Sequence, residues 1–456
     1  MTRRRVAVVG GGIAGLVTAF RLATSGTDLE IRLFEASSRL GGQLRTIEFA
    51  GRRVDVGARS FAEDEAVMQL THDLGIDHLV EPPRDLITQL WTRDRFRQLP
   101  PGLIDGVPTS LWQLATSGIV SWRGVVRAGL DLVLPDDWPG HDEPVAELIE
   151  RRLGSEVAAK LVDPIIGSAN AANTADLSSS LATPAIAEAA RLDRSLLKGL
   201  GRIEKRSAGS DRRQVRGFRG GMSVLTERLA SALDGVEIVT SCPVSVDAED
   251  GRYAVRSRNS VWQADSVVLA CPAPATAAML APWAPASAKH AAKFSSTSLV
   301  VTTLAIGPED LRADGPEGGR LLFGSDEILA TSVEFEDTGA GEPFVLHVTS
   351  GRSGDDRAMQ LDDDELVDAL VGQLAPMLGF EGPILEWQVT RWADRVPQYP
   401  PGHGERVTAL EVALRHEAPG LFVTGASYRG AGVSACVRHA SETADAVLDT
   451  IRAGAG

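Results

Sequence analysis

Cysteine is scarce in this 456-residue chain, with only Cys242, Cys271 and Cys436, odd in number and far apart. That excludes a disulfide-stapled scaffold and leaves no C-x-x-C pair for zinc, and it points to a reducing compartment. Positive charge is also in deficit: 46 Lys and Arg stand against 61 Asp and Glu, a net charge of −15. Without a surplus of cations to neutralise phosphates, a general nucleic-acid binder is excluded and a small-molecule partner is favoured. A long uninterrupted apolar run is missing as well. The longest uncharged stretch, Ser266 to Ala288, carries Pro272, Pro274, Pro282 and Pro285, which no continuous membrane helix tolerates. The basic and apolar start, Met1 to Val9, is cut by glycines with no small-residue cleavage site after it, so it reads as a mature strand and the default location is cytoplasmic. Repeats and low-complexity tracts are absent too.

What is present suffices for a large core: 43% apolar and 23% charged residues describe an ordinary globular chain of roughly two or three domains. The first 46 residues read as a βαβ unit, with a strand at Val6–Val9, a helix from about Ala14 to Ser25 and a second strand at Glu30–Phe34. Helical periodicity follows over Glu63–Leu74 and again over Val145–Leu161, where it predicts one helix. Lys198 to Gly221, rich in Gly, Ser and charge, predicts a loop. A helix from Met222 and strands at Val236–Thr240, Arg252–Arg258, Ser266–Ala270, Leu299–Ala305 and Phe344–Thr349 come next. A strand at Gly420–Thr424, a glycine-rich turn and a helix over Val433–Ile451 close the chain. The acidic run from Gly354 to Glu365 reads as solvated surface.

The sharpest motif is Gly10-Gly11-Gly12-Ile13-Ala14-Gly15, a G-x-G-x-x-G placed directly after a strand and opening a helix, with Glu35 closing the next strand. Gly10 permits the tight turn, Gly12 lets backbone approach a pyrophosphate, and Gly15 lets helix and strand pack closely. Free amides and the positive end of the helix dipole favour the phosphates there, and Glu35 can accept from a ribose diol. This is a dinucleotide site.

The segment Arg39-Leu40-Gly41-Gly42-Gln43-Leu44-Arg45-Thr46 resembles the R-x-G-G-x-x-x-[ST] extension of the flavoprotein amine oxidase superfamily. Further resemblances are Asp55-Val56-Gly57-Ala58, Phe218-Arg219-Gly220-Gly221-Met222, Pro243-Val244, the strand and turn from Ala264 to Pro272, and Leu421 to Val433 with Gly425, Gly430 and Gly432. Within the superfamily, Trp392 to Tyr399 with Gly402-His403 is similar to the W-x-x-x-x-P-Q-Y-x-x-G-H of the protoporphyrinogen and coproporphyrinogen oxidases, as is the helix from Arg152 to Pro164.

The resemblance implies an α/β flavoprotein: a discontinuous, glutathione-reductase-like Rossmann domain for FAD, an α+β substrate domain and a helical insertion. The expected pieces are 1–85, 215–288 and 409–456 for FAD, 86–214 for the helical insertion and 289–408 for the substrate sheet. It implies FAD contacts at Gly10, Gly12, Ile13, Ala14, Gly15, Glu35, Arg39, Gly41, Gly42, Gln43, Gly57, Ala58, Val244 (adenine), Gly425, Gly432 and Val433. Substrate contacts are expected at Arg59, Phe61, Asn170, Trp392 and Tyr399, the last two as pocket wall. The implied reaction takes a porphyrinogen to a porphyrin in two-electron rounds at flavin N5, with dioxygen as acceptor, peroxide as product and the cofactor carrying the hard chemistry. No side chain is assigned as catalytic. His403 is a candidate acid or base, or simply a turn residue. No metal site is expected.

One departure from the family is Gly167-Ser168-Ala169-Asn170-Ala171-Ala172-Asn173, which lacks the usual aromatic and Gly-Asp and puts the substrate in question. A desaturase or amine oxidase of a specialised metabolite is therefore an alternative, and a catalytically silent flavoprotein of tetrapyrrole metabolism a second. The seven cations between Arg202 and Arg219 read either as a solvated loop or as a collector for an anionic substrate or membrane head group, giving a weak peripheral contact. Oligomeric state is left open.

Overall fold

The computed structural model describes residues 3–82, 87–134, 139–207, 214–310, 319–324, 327–336 and 341–453. The apolar runs Arg4–Val9, Leu29–Phe34, Val236–Val239, Ser266–Leu269 and Leu421–Val423 pair, all parallel, into one sheet with Arg4–Val9 at its centre. Parallel strands are buried on both faces, which is why Val6, Ala7 and Val8 are fully buried in sequence. Helices Ile13–Ala23 and Val433–Ala453 pack together on one side of it, through a core containing Leu16, Val17, Phe20, Val437 and Ala444. This is a Rossmann-like α/β layer. A three-stranded antiparallel sheet, Ser245–Glu249, Arg252–Arg256 and Val261–Ala264, leads back into its fourth strand.

A second sheet of seven strands runs in the order Ile384–Pro397, Ser296–Ile306, Phe344–Ser350, Ala330–Glu336, Arg320–Phe323, Thr88–Thr92, Arg95–Gln98. One face packs on helix Asp363–Leu378 through Leu304, Val333, Leu346, Leu370 and Leu374. That helix starts at a capping box between Asp362 and Glu365, so the acidic run is used to begin it as well as to meet water. The other face packs, through Ala305 and Val345, on Phe49 and Val54 of the hairpin formed by Thr46–Phe49 and Arg52–Asp55. Between Leu111 and Ser207 the regular elements among the described residues are all helices.

Two expectations are corrected. The helix over Val145–Leu161 ends at Leu153, because Gly154 takes φ +95°, a conformation that cannot continue a right-handed helix. A wider helix of ten residues, Ala158–Gly167, follows with Pro164 inside it. The expected loop from Lys198 is helix Leu196–Ser207 in its first part. Leu196, Leu197, Leu200 and Ile203 are buried at three- and four-residue steps, and Gly199 gives Ala189 room, since a Cβ there would lie 2.2 Å from its carbonyl oxygen. Its start is held by the buried Asp131, whose carboxylate accepts from Ser195 Oγ (2.7 Å), Leu196 N (3.1 Å) and Leu197 N (3.0 Å). Of the basic stretch, Arg212 and Arg213 lie outside the described residues.

Candidate active site

The glycine motifs that begin at Gly10, Gly41 and Gly425 follow the carboxyl ends of strands of the parallel sheet, where open α/β folds bind ligands. Gly10 follows the central strand with φ +113°, and a Cβ there would lie 2.7 Å from the Ala270 carbonyl oxygen. A Cβ on Gly15 would lie 1.9 Å from the Gly10 carbonyl oxygen, whereas one on Gly12 would meet nothing nearer than Gly42 Cα at 3.9 Å. The space over Gly12 is therefore left open by the protein. Helix Ile13–Ala23 has no side-chain cap and no acid in its first turn, so the partial positive charge of its amides is not neutralised. These features fit a pyrophosphate.

Glu35 ends the neighbouring strand with Oε2 accepting from Gly11 N (2.6 Å) and Oε1 from Ser37 N (2.7 Å). Its backbone carbonyl accepts from Cys242 N at 2.9 Å, bringing the turn with Pro243 and Val244 alongside. The Arg39–Gln43 loop crosses under Gly12: Gly41 N donates to Gly11 O (2.8 Å), and Arg39 Nη2 to Gly42 O (2.7 Å). Burial and nearby Arg45 lower the Arg39 pKa.

Gln43 joins this loop to the second sheet. Its carbonyl accepts from Ala58 N (3.1 Å), a Cβ on Gly57 would lie 1.9 Å from that same oxygen, and its side-chain amide donates to Arg395 O. Trp392 Nε1 donates to Val56 O at 2.8 Å. Arg59 then reaches across to the sheet, its Nη2 2.6 Å from Glu334 Oε2. Phe61 turns the other way and packs on Phe218 with ring centroids 5.2 Å apart. Sequence reasoning assigned no role to Asp55, inside the quoted tetrapeptide; its carboxylate accepts from Thr46 Oγ1 (2.6 Å) and Met222 N (2.9 Å), tying two motifs together. Burial raises its pKa against those bonds.

Gly425, φ +113°, leads to Ala426–Arg429 and the helix beginning at Val433. The P-Q-Y and G-H residues brace this edge: Tyr399 Oη donates to Ala426 O, and His403 Nε2 to Tyr428 O at 2.8 Å. His403 is buried, stacked edge-on with Tyr399 at 4.6 Å. Burial lowers its pKa and outweighs the opposing bond to Tyr428, so near neutral pH its Nε2–H is a brace between two motifs. Asn170 ends the short helix Ser168–Asn170. Its Nδ2 donates to Ile166 O (2.8 Å), and Gln398 Nε2 donates to its carbonyl (3.3 Å).

A parallel sheet with two glycine-rich helix starts at one edge, joined to a second, largely antiparallel sheet, defines a nucleotide-dependent oxidoreductase. Residues 13–448 match the flavin containing amine oxidoreductases, and the chain belongs to that family. Its cofactor is FAD. The chain is 32% identical to the coproporphyrinogen III oxidase of Mycobacterium leprae (strain TN), over 98% of this chain and 99% of that one. It is 29% identical to human protoporphyrinogen oxidase, over 98% and 99%. A crystal structure from Exiguobacterium sp. 255-15 shares the fold with a TM-score of 0.89, at 24% identity, covering 98% of this chain and 100% of that one.

Proposed function

We propose that this protein oxidises a porphyrinogen to the porphyrin, with coproporphyrinogen III as first substrate, protoporphyrinogen IX as second and dioxygen as acceptor. Likeness along essentially the full length to both a coproporphyrinogen III oxidase and a protoporphyrinogen oxidase carries this reading. FAD would be held by the five residues Gly10, Gly12, Ile13, Ala14 and Gly15 at its pyrophosphate, Glu35 at a ribose, Val244 at the adenine, and Arg39, Gly41, Gly42 and Gln43 along its length. Gly57, Ala58, Gly425, Gly432 and Val433 would border the ring. Bound there, FAD supplies the hydride acceptor. The chain supplies position: pieces 1–85, 215–288 and 409–456 hold the cofactor, 289–408 and 86–214 the substrate, and Arg59, Asn170, Trp392 and Tyr399 border the way between them, whereas Phe61, buried against Phe218, takes no part.

The test is anaerobic mixing of the yellow protein with each porphyrinogen. We expect bleaching of the flavin band within one turnover and, in air, growth of Soret absorbance with peroxide release. No bleaching by either porphyrinogen, with bleaching by an amine, would replace this reading by the amine oxidase one.

We place the peripheral membrane contact away from the basic stretch, whose Arg202, Arg206 and Arg216 form ion pairs with Asp193, Glu188 and Glu63. Helix Trp122–Gly129 is inverted: Gly124 and Ala128 face the core, while Trp122 (72% exposed), Val126 (58%) and, past its end, Leu130 and Val133 (71%) face solvent. Exposed Trp112 and Arg123 flank this stripe, the pattern of a shallow interfacial helix. None of the described helices is long and apolar enough to cross a membrane. Sedimentation with phosphatidylglycerol vesicles at low salt should pull down the protein, and Trp122→Ser with Val126→Ser should abolish it; a variant that still sediments refutes the placement.

A further inference from the structure

The hairpin at one edge of the large sheet gathers three arginines. Thr88–Thr92 and Arg95–Gln98 are joined by Arg93 and Asp94, both at positive φ (+52° and +58°), the twist that suits a two-residue connection. Trp91 and Phe96, paired across the hairpin with ring centroids 4.8 Å apart, turn into the core under helix Asp363–Leu378. Alternation sends Arg95 and Arg97 to the opposite side, where Leu90, the partner of Arg97, is buried in one cluster with Leu114 of helix Leu111–Ser117. The Arg97 guanidinium lies on Gly118, which ends that helix at φ +64°; a Cβ there would be 2.4 Å from Nη1.

These cations are left without an acid. None of the three forms an ion pair or a side-chain hydrogen bond among the described residues, and Arg97 Nε is buried without a partner. Arg93 and Arg95 are exposed and Arg97 is half-buried. Burial lowers the Arg97 pKa, and Arg95 and Arg93 lower it further, with no carboxylate of the described residues acting against them. The guanidiniums stay charged and repel one another. An edge strand needs only scattered charge to discourage pairing. Three cations within reach of one another, in a chain of net charge −15, present a receptor for an anion.

Their surroundings say which anion. Helix Trp122–Gly129, whose apolar stripe meets solvent, begins four residues past Gly118, and Arg123 Cζ lies 5.5 Å from the Trp122 ring centroid. Trp112, 76% exposed, stands in the first turn of helix Leu111–Ser117. Glu156, at the start of the exposed helix, does not cancel the arginines, because its carboxylate is taken by Ser121 N (3.0 Å), Ser121 Oγ (2.6 Å) and Lys160 Nζ (2.8 Å). A partner for this face has to be apolar and anionic at once. Indole rings beside cations on a shallow apolar helix suit the headgroup layer of a bilayer, and a phosphate accepts two parallel N–H bonds from one guanidinium.

We propose that Arg93, Arg95 and Arg97 hold the phosphate of an anionic phospholipid, so that the hairpin selects the membrane patch on which helix Trp122–Gly129 settles. The inference rests on the placement of the membrane contact at that helix. The two elements divide the work: the stripe gives affinity for any bilayer, and the hairpin gives preference for an anionic one.

The test is sedimentation of the FAD-loaded protein at low salt with vesicles of phosphatidylcholine alone and of phosphatidylcholine and phosphatidylglycerol in equal parts. The parent should bind the mixed vesicles more tightly. Each cation at the surface contributes about fivefold, so Arg93→Gln with Arg95→Gln should weaken binding to the mixed vesicles by about 25-fold, and Arg97→Gln added to them by on the order of 100-fold. Binding to phosphatidylcholine alone, set by Trp122 and Val126, should stay as it was. Arg202→Gln with Arg206→Gln, which removes the same charge as the double variant from two ion-paired sites, should keep the parent's preference. The double hairpin variant changes only exposed side chains and decides the matter where Arg97→Gln disturbs the packing on Gly118. It should unfold at a temperature no lower than the parent's, since it loses repulsion and no bond. A parent that sediments with neither vesicle overturns the membrane placement itself. A parent that sediments equally with both, a double hairpin variant that keeps the preference or is less stable than the parent, or an Arg202, Arg206 variant that loses the preference to the same extent overturns this inference alone.

Discussion

Gly12→Ala is expected to give a protein that folds as stably as the parent without FAD and yet is purified nearly colourless. The added methyl meets no protein atom nearer than 3.9 Å and sits at an ordinary φ of −74°, so the empty fold has no reason to object. It projects into the space where a pyrophosphate must approach backbone, and overpacking of about 1–3 kcal/mol lowers FAD affinity by about 10- to 100-fold. Gly15→Val is the contrasting case. Its Cβ would lie 1.9 Å from the Gly10 carbonyl oxygen, so both the fold and the flavin should be lost. Flavin absorbance after gel filtration, set beside thermal unfolding of the apoproteins, separates the two. A Gly12→Ala protein that retains stoichiometric flavin would remove the pyrophosphate from this turn.

Asp131→Ala is expected to be the most damaging substitution far from the cofactor. Asp131 and Arg152 are both buried, with Oδ1 3.7 Å from Nη1, and the same carboxylate caps helix Leu196–Ser207 through three hydrogen bonds. Alanine removes the Asp131 carboxylate from beside the Arg152 guanidinium and opens that helix start. Breaking a buried pair costs about 3–5 kcal/mol. Asp131→Asn, which can still accept at the helix start, should cost less. Urea unfolding monitored by circular dichroism gives the difference, and a loss under about 1 kcal/mol, the scale of an exposed pair, would show the carboxylate to be dispensable.

Inverted helix Trp122–Gly129 and helix Leu196–Ser207 show where sequence reading stops. In helix Trp122–Gly129 the apolar side chains of Trp122 and Val126 meet solvent, while the small Gly124 and Ala128 face the helices beneath. In Leu196–Ser207 the glycines and charges suggest a loop, yet Gly199 is there for packing against Ala189. Tertiary partners outweigh local preference in both.

The parallel nucleotide sheet and its cradle were written in the chain, since strand, glycine turn, helix and acid follow one another within Arg4 to Glu35 and each acts on its near neighbours. The scarcity of cysteine, the acidic balance and the absence of a long apolar run had already narrowed the class. What only the tertiary structure decided is the large sheet and the faces its strands present. Those strands are drawn from Thr88 to Pro397, and nothing local to any of them announces the others. Register alone sets Arg97 opposite the buried Leu90, and so beside Gly118 and the exposed helix that follows it, because in a sheet a side chain's neighbours are set by hydrogen-bond pairing across strands and not by distance along the chain.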